Sequence, residues 1–112
     1  MSSIDAILAE RGTRYGAFRE HARITQSIKV AMVDSPNWAK LPAYQKEALE
    51  MVAHKIGRML NGDFTYEDNL TDIVGYAQLA LEDTHADNEV VASSKKPPKN
   101  VSSLAKHALK VS

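Results

Sequence analysis

The chain reads as all-α, a compact bundle of four helices followed by a basic, largely flexible C-terminal tail. Three observations predict this. Apolar residues recur at the 3.6-residue spacing in four separate segments, and no segment alternates as a strand would. Glycine, proline and asparagine signals divide the segments. The connections are short, which favours antiparallel neighbours.

The first helix is expected at about 4–11, with Ser3 as its cap, Ile4, Ile7 and Leu8 as its stripe, and Gly12 as its stop. "RGTRYG" (11–16), bracketed by two glycines, then reads as a loop. A second helix runs roughly 17–33, and Pro36 ends any continuation. "SPNWAKLP" makes the next turn, with Pro42 as the first residue of helix three, about 42–61. Asn61-Gly62 stops it, "DFTYED" is a loop, and Asp68 or Asn69 caps a fourth helix over 69–84.

From residue 87 the composition shifts to Ser, Lys and Pro, so the spacing divides the chain into a bundle domain, 1–86, and a linker with tail, 87–112. Residues 103–111 have the pattern of a two-turn amphipathic helix with Leu104, Ala108 and Leu109 on one side. A helix that short is marginal in water, so the tail is expected to order only by docking. The body buries a modest core, and a homo-oligomer is the natural supplement.

Composition excludes several classes. There is no cysteine, hence no disulfide, thiol chemistry or cysteine-held zinc. No apolar run approaches the ~20 residues that span a bilayer, and the N-terminus lacks the pattern of a secretory signal, so a cytoplasmic protein without membrane partners is expected. The formal net charge is zero, but residues 1–86 carry nine basic against twelve acidic side chains and residues 87–112 five against two. A duplex-binding body would need a dense basic face. Sequence-specific DNA binding is therefore not expected.

A wheel at ~100° per residue sorts helix three into an apolar side (Leu49, Val52, Ile56, Met59, Leu60) and a polar arc (Glu47, Glu50, His54, Lys55, Arg58). The bland reading of that arc is a solvated face with i,i+4 pairs. Met51 lies within the arc and argues that it is partly covered. Helix four has a core stripe of Leu70, Ile73, Val74, Ala77 and Leu81 opposite Asp68, Asp72, Gly75, Tyr76 and Leu79. Gly75 costs about 1 kcal/mol against alanine in a helix, which points to a close approach there. On helix two, His21 falls inside the stripe of Ile24, Ile28, Ala31 and Met32, with Thr25 and Lys29 at its edge. A lone histidine so placed is usually a core residue, but the three together outline a polar pocket.

No glycine-rich phosphate loop, triad spacing or HExxH pattern occurs. Two candidate sets remain. Glu47, Glu50, Asp68 and Asp72 are carboxylates suited to Mg²⁺ if helices three and four face each other. His54, Lys55 and Arg58 form a cationic arc suited to phosphate, with Arg58 able to grip bidentately.

"ERGTRYGAF", "EALEMVAHKIGRMLNGD" and "YEDNLTDIVGYAQL" together resemble a family of small tailed-phage and prophage proteins over roughly residues 8–82. Tyr15-Gly16, Lys55-x-x-Arg58 and Asp68-x-x-x-Asp72 followed by Tyr76 are more distantly similar to a helical phage domain associated with nucleotide modification. A weaker likeness is to the all-α MazG-type nucleotide pyrophosphohydrolases. Their EExxE box has only Glu47-x-x-Glu50 as counterpart here, and Asn69 stands where their second box has an acid.

The expectation is a phage-encoded binding protein that sequesters a nucleotide or nucleotide-derived signal to counter or redirect host processes. Tyr15, His21, Lys29, His54, Lys55, Arg58 and Tyr76 would hold the ligand, the tyrosines serving as base-stacking surfaces. One alternative is a MazG-like Mg²⁺-dependent hydrolase with Glu47, Glu50 and Asp72 catalytic. Another is an adaptor that binds a host protein.

Overall fold

A computed structural model describes residues 3–94, which form four α-helices and one 3-10 turn with no strand among them. α1 spans Ser3–Tyr15, α2 Phe18–Val33, α3 Ala43–Asn61 and α4 Glu67–Ser94, and the 3-10 turn is Trp38–Lys40. The chain divides into two compact units, Met1–Ala80 and Leu81–Ser112. No helix among the described residues is long and apolar enough to cross a membrane.

The all-α expectation holds, and the boundaries differ in instructive ways. Gly12 does not stop α1, because one interior glycine weakens a helix without breaking it. The helix continues to Tyr15 and ends at Gly16, whose φ of 77° is the left-handed conformation of a helix C-cap. The Gly16 N–H donates to the Gly12 carbonyl at 3.0 Å. "RGTRYG" is thus the last turn of a helix and its cap. Pro42 stands one residue ahead of α3, and its carbonyl accepts from the Gln45 and Lys46 N–H groups, each at 3.1 Å.

α4 begins at Glu67, so Asp68 and Asn69 lie in its first turn instead of capping it. Acids there complement the helix dipole. The helix also runs on through Ser94, where the composition suggests a linker. Residues 85–94 contain neither glycine nor proline, so nothing local ends it. The tail segment 103–111 lies outside the described residues.

Within the first unit, α2 and α3 make the most extensive helix pairing, and α1 lies against both. Their meeting surface is unusual in being small and polar. The buried apolar residues among those described are Ala48 and Ala53, whereas His21, Thr25, Lys55 and Asn69 are buried polar groups. Gly57 explains the closeness: a Cβ there would stand 2.1 Å from Thr25 Oγ1 and 3.1 Å from His21 Nδ1. The tightest approach of two helices selects the side with the smallest side chains, because packing rewards contact density.

That choice rotates the expected core faces of α3 and α4 in part. On α3, Leu49 and Leu60 are exposed, Val52, Ile56 and Met59 only half-buried, while Lys55 of the polar arc is buried. On α4, Leu70, Val74 and Ala77 are exposed, and Asn69, Asp72 and Tyr76 are drawn inward. On α2 the expected side does face inward: His21 and Thr25 are buried and Ile24, Ile28 and Met32 half-buried, with Ala31 alone of the stripe exposed. In the second unit, Leu81, Val90 and Val91 are exposed. Gly75 is not a contact point either, since a Cβ there would meet nothing within 4 Å.

Candidate functional site

The last turn of α1, the Gly16 turn, the start of α2 and the C-terminal half of α3 enclose a cavity of about 520 Å³. Leu8, Arg11, Tyr15, Phe18, His21, His54 and Arg58 line it. Asn61, the last residue of α3, fixes the turn that forms one wall. Its Nδ2 donates to the Tyr15 carbonyl at 2.8 Å and to the Ala17 carbonyl at 2.9 Å. The Asp63 N–H donates to the Arg14 carbonyl at 2.6 Å. The helix stop at Asn61 and the cap at Gly16 are therefore one joint.

Cations and rings alternate along that joint. The Arg58 guanidinium lies 4.1 Å from the Tyr15 ring centroid, and Arg14 lies 4.1 Å from that of Tyr66. Tyr15 and Tyr66 meet edge-on at 6.2 Å. Such cation–π contacts hold the arginines in place without neutralising them. Arg58 covers the Tyr15 ring face, so the tyrosine positions the arginine and is not an open stacking platform. Phe18, 79% exposed at the cavity mouth, is the open aromatic surface.

His21 and His54 stand edge to face, 4.7 Å between centroids. Burial pushes His54 down to about 4, helped by the charges of Arg58 and Lys55 and by His21 and Lys29. Burial likewise lowers His21, a backbone interaction with Gly57 opposing it and the charges of Arg58 and Lys29 reinforcing it. Both rings are neutral near pH 7, so each carries one donor and one acceptor nitrogen. His21 Nδ1 and Thr25 Oγ1 are buried without a hydrogen-bond partner. Positive charge at the cavity comes from Arg11 and Arg58.

Of the seven residues expected at a ligand site, the structure brings together Tyr15, His21, His54 and Arg58. Lys29 lies elsewhere, its Nζ 3.4 Å from Glu50, beside a shallower cavity of about 380 Å³ with Gln26, Val30, Val33 and Asp34. Lys55 points at α4 and pairs with Asp72 at 2.8 Å. Tyr76 is half-buried on α4 and does not line the cavity.

The four carboxylates expected at a metal do not form one site. Glu47 is exposed, Glu50 faces Lys29, Asp68 accepts from the Tyr66 hydroxyl at 2.6 Å, and Asp72 pairs with Lys55. Among the described residues no group of three or more His, Asp or Glu side chains is placed to hold a metal ion. The donor set does not fit Mg²⁺, because the inward turn of α4 hands Asp72 to a buried lysine. Arg11 and Phe18 also line the cavity, although the sequence did not single them out. Leu8, Arg11 and Tyr15 share one helical face at i, i+3 and i+7, a signal concealed by treating Gly12 as a stop.

No curated protein and no solved structure matched the chain. One family did, its sequence model matching residues 2–84, which takes in α1, α2, α3 and the part of α4 that carries Asn69, Asp72 and Tyr76. The cavity-lining residues all fall within that match, and the chain belongs to the family described as Domain of unknown function (DUF6378).

Proposed function

We propose that the protein binds a nucleotide or nucleotide-derived small molecule in the α1–α2–α3 cavity, holding it without turning it over. The observation that carries this reading is the convergence of Arg11 and Arg58 with the neutral pair His21 and His54 in one cavity of about 520 Å³. The volume is in the range of small-ligand sites. The arginines would take the phosphates, Arg58 with its planar fork held ready by Tyr15. The histidines would meet the base or sugar with one donor and one acceptor each, and Phe18 offers a ring face for stacking. The resemblance to tailed-phage proteins supports sequestration aimed at a host process. The reading stops at binding because, of the three acids of the MazG-like alternative, Glu50 and Asp72 each face a lysine and Glu47 is exposed.

Titration calorimetry with a panel of mono-, di-, tri- and cyclic nucleotides tests this. Saturable heat from at least one member is expected, with Arg58→Ala weakening that affinity at least tenfold. The absence of heat across the panel would overturn the reading.

A further inference from the structure

Two cations line the α1–α2–α3 cavity, and neither has an acid to balance it. Arg11 and Arg58 form no ion pair among the described residues. Arg58 lies over the Tyr15 ring instead, a contact that leaves its charge in place. By contrast, Arg14, Lys29 and Lys55, on the same three helices, pair with Glu10, Glu50 and Asp72 at 3.5, 3.4 and 2.8 Å. No aspartate or glutamate stands among the described residues that line the cavity. The charge that the cavity leaves unmatched is therefore that of two guanidinium groups.

We propose that the ligand of this cavity is a nucleoside monophosphate bound without a metal ion, its phosphate dianion matched by Arg11 and Arg58. This rests on the nucleotide reading above and names the member of that class which the charges select. A phosphomonoester carries about two negative charges near pH 7 and presents three acceptor oxygens. Arg11 stands on α1 and Arg58 on α3, so the two guanidinium groups belong to different walls of one cavity. The rest of the lining suits a single nucleoside, with Leu8 and Phe18 apolar and His21 and His54 neutral donors and acceptors. A volume of about 520 Å³ lies in the lower half of the range for small-ligand sites.

Other phosphate states match less well. A di- or triphosphate brings charges that no further cation of the cavity meets, and a charge taken from water without a partner is costly. Polyphosphates are ordinarily neutralised by Mg²⁺, which is held by one or two carboxylates. The lining offers none. His21 and His54 could balance an added charge only by taking a proton, which their burial resists. A cyclic monophosphate has a single charge and would leave one arginine unmatched.

Titration calorimetry on the full chain with the 5′-monophosphates and 5′-triphosphates of the common ribonucleosides, each with and without Mg²⁺, tests the assignment. The best monophosphate should bind about tenfold more tightly than the triphosphate of the same base, one decade in Kd. Mg²⁺ should strengthen neither. Arg11 is exposed on α1, so its replacement leaves the packing of the helices alone. Arg11→Gln should erase the preference for the 5′-monophosphate over the singly charged 3′,5′-cyclic monophosphate of the same base. A triphosphate that binds more tightly, an affinity that rises with Mg²⁺, or an unaltered preference in Arg11→Gln would overturn this assignment while leaving nucleotide binding intact. Silence from every nucleotide would overturn the nucleotide reading itself, and this assignment with it.

Discussion

Gly57 lies where α3 comes closest to α2, and any side chain there must displace Thr25 or His21. Gly57→Ala should therefore destabilise by about 1–3 kcal/mol despite alanine's better helix propensity. Gly75 has open space around its missing Cβ, so Gly75→Ala should stabilise by up to about 1 kcal/mol. Thermal melts of the two variants should move in opposite directions. A second residue-scale expectation concerns pH. His54, at about 4 in the folded chain, lies below its ordinary 6.5, so the unfolded state binds the proton more readily between those values. The neutral ring's contribution is complete above pH 6.5 and is lost as pH falls towards 4, and the lowered His21 acts in the same sense. Urea midpoints should drop between pH 7.5 and pH 5, and His54→Gln should flatten that slope.

At the scale of elements, two joints hold the cavity and α4. Asn61→Ala removes both amide bonds to the Tyr15 and Ala17 carbonyls, one part-buried and one exposed, a loss of about 0.5–1.5 kcal/mol for each. Hydrogen exchange should speed up at the end of α1, with α2 less affected. The Lys55–Asp72 pair anchors the start of α4 to α3. Asp72→Ala strands a buried ammonium, whereas Lys55→Met replaces it with a chain of similar length, so the first should cost more than the second. Chemical denaturation of both variants checks the order. Such a polar anchor also explains why the apolar line of α4 faces outward: the turn that gives Asp72 to Lys55 carries Leu70 and Val74 away from α3.

At the scale of the whole molecule, the fully buried side chains among the described residues are small or polar, and the large aliphatic ones are half-buried or exposed. A protein of this kind should show stability that rises with its own concentration. Melting temperature measured across a hundredfold range of concentration should increase by several degrees, and an invariant value would mark a self-contained fold.

The amino-acid sequence alone determined that there are four helices, because period, proline and glycine act within a few residues of where they stand. Pro36, Pro42 and Asn61-Gly62 marked real boundaries to within a few residues, and four of the residues singled out in the sequence, Tyr15, His21, His54 and Arg58, line one cavity. Gly12 misled, since a glycine's cost in a helix is outweighed when the flanking turns continue. Tertiary structure decided the facing of each helix, and with it the separation of Lys29, Lys55 and Tyr76 from the cavity and the dispersal of the four carboxylates. Facing is non-local: a helical wheel ranks sides by hydrophobicity, whereas packing selected the side where Ala48, Ala53 and Gly57 allow the closest approach and where Lys55 finds an acid on another helix.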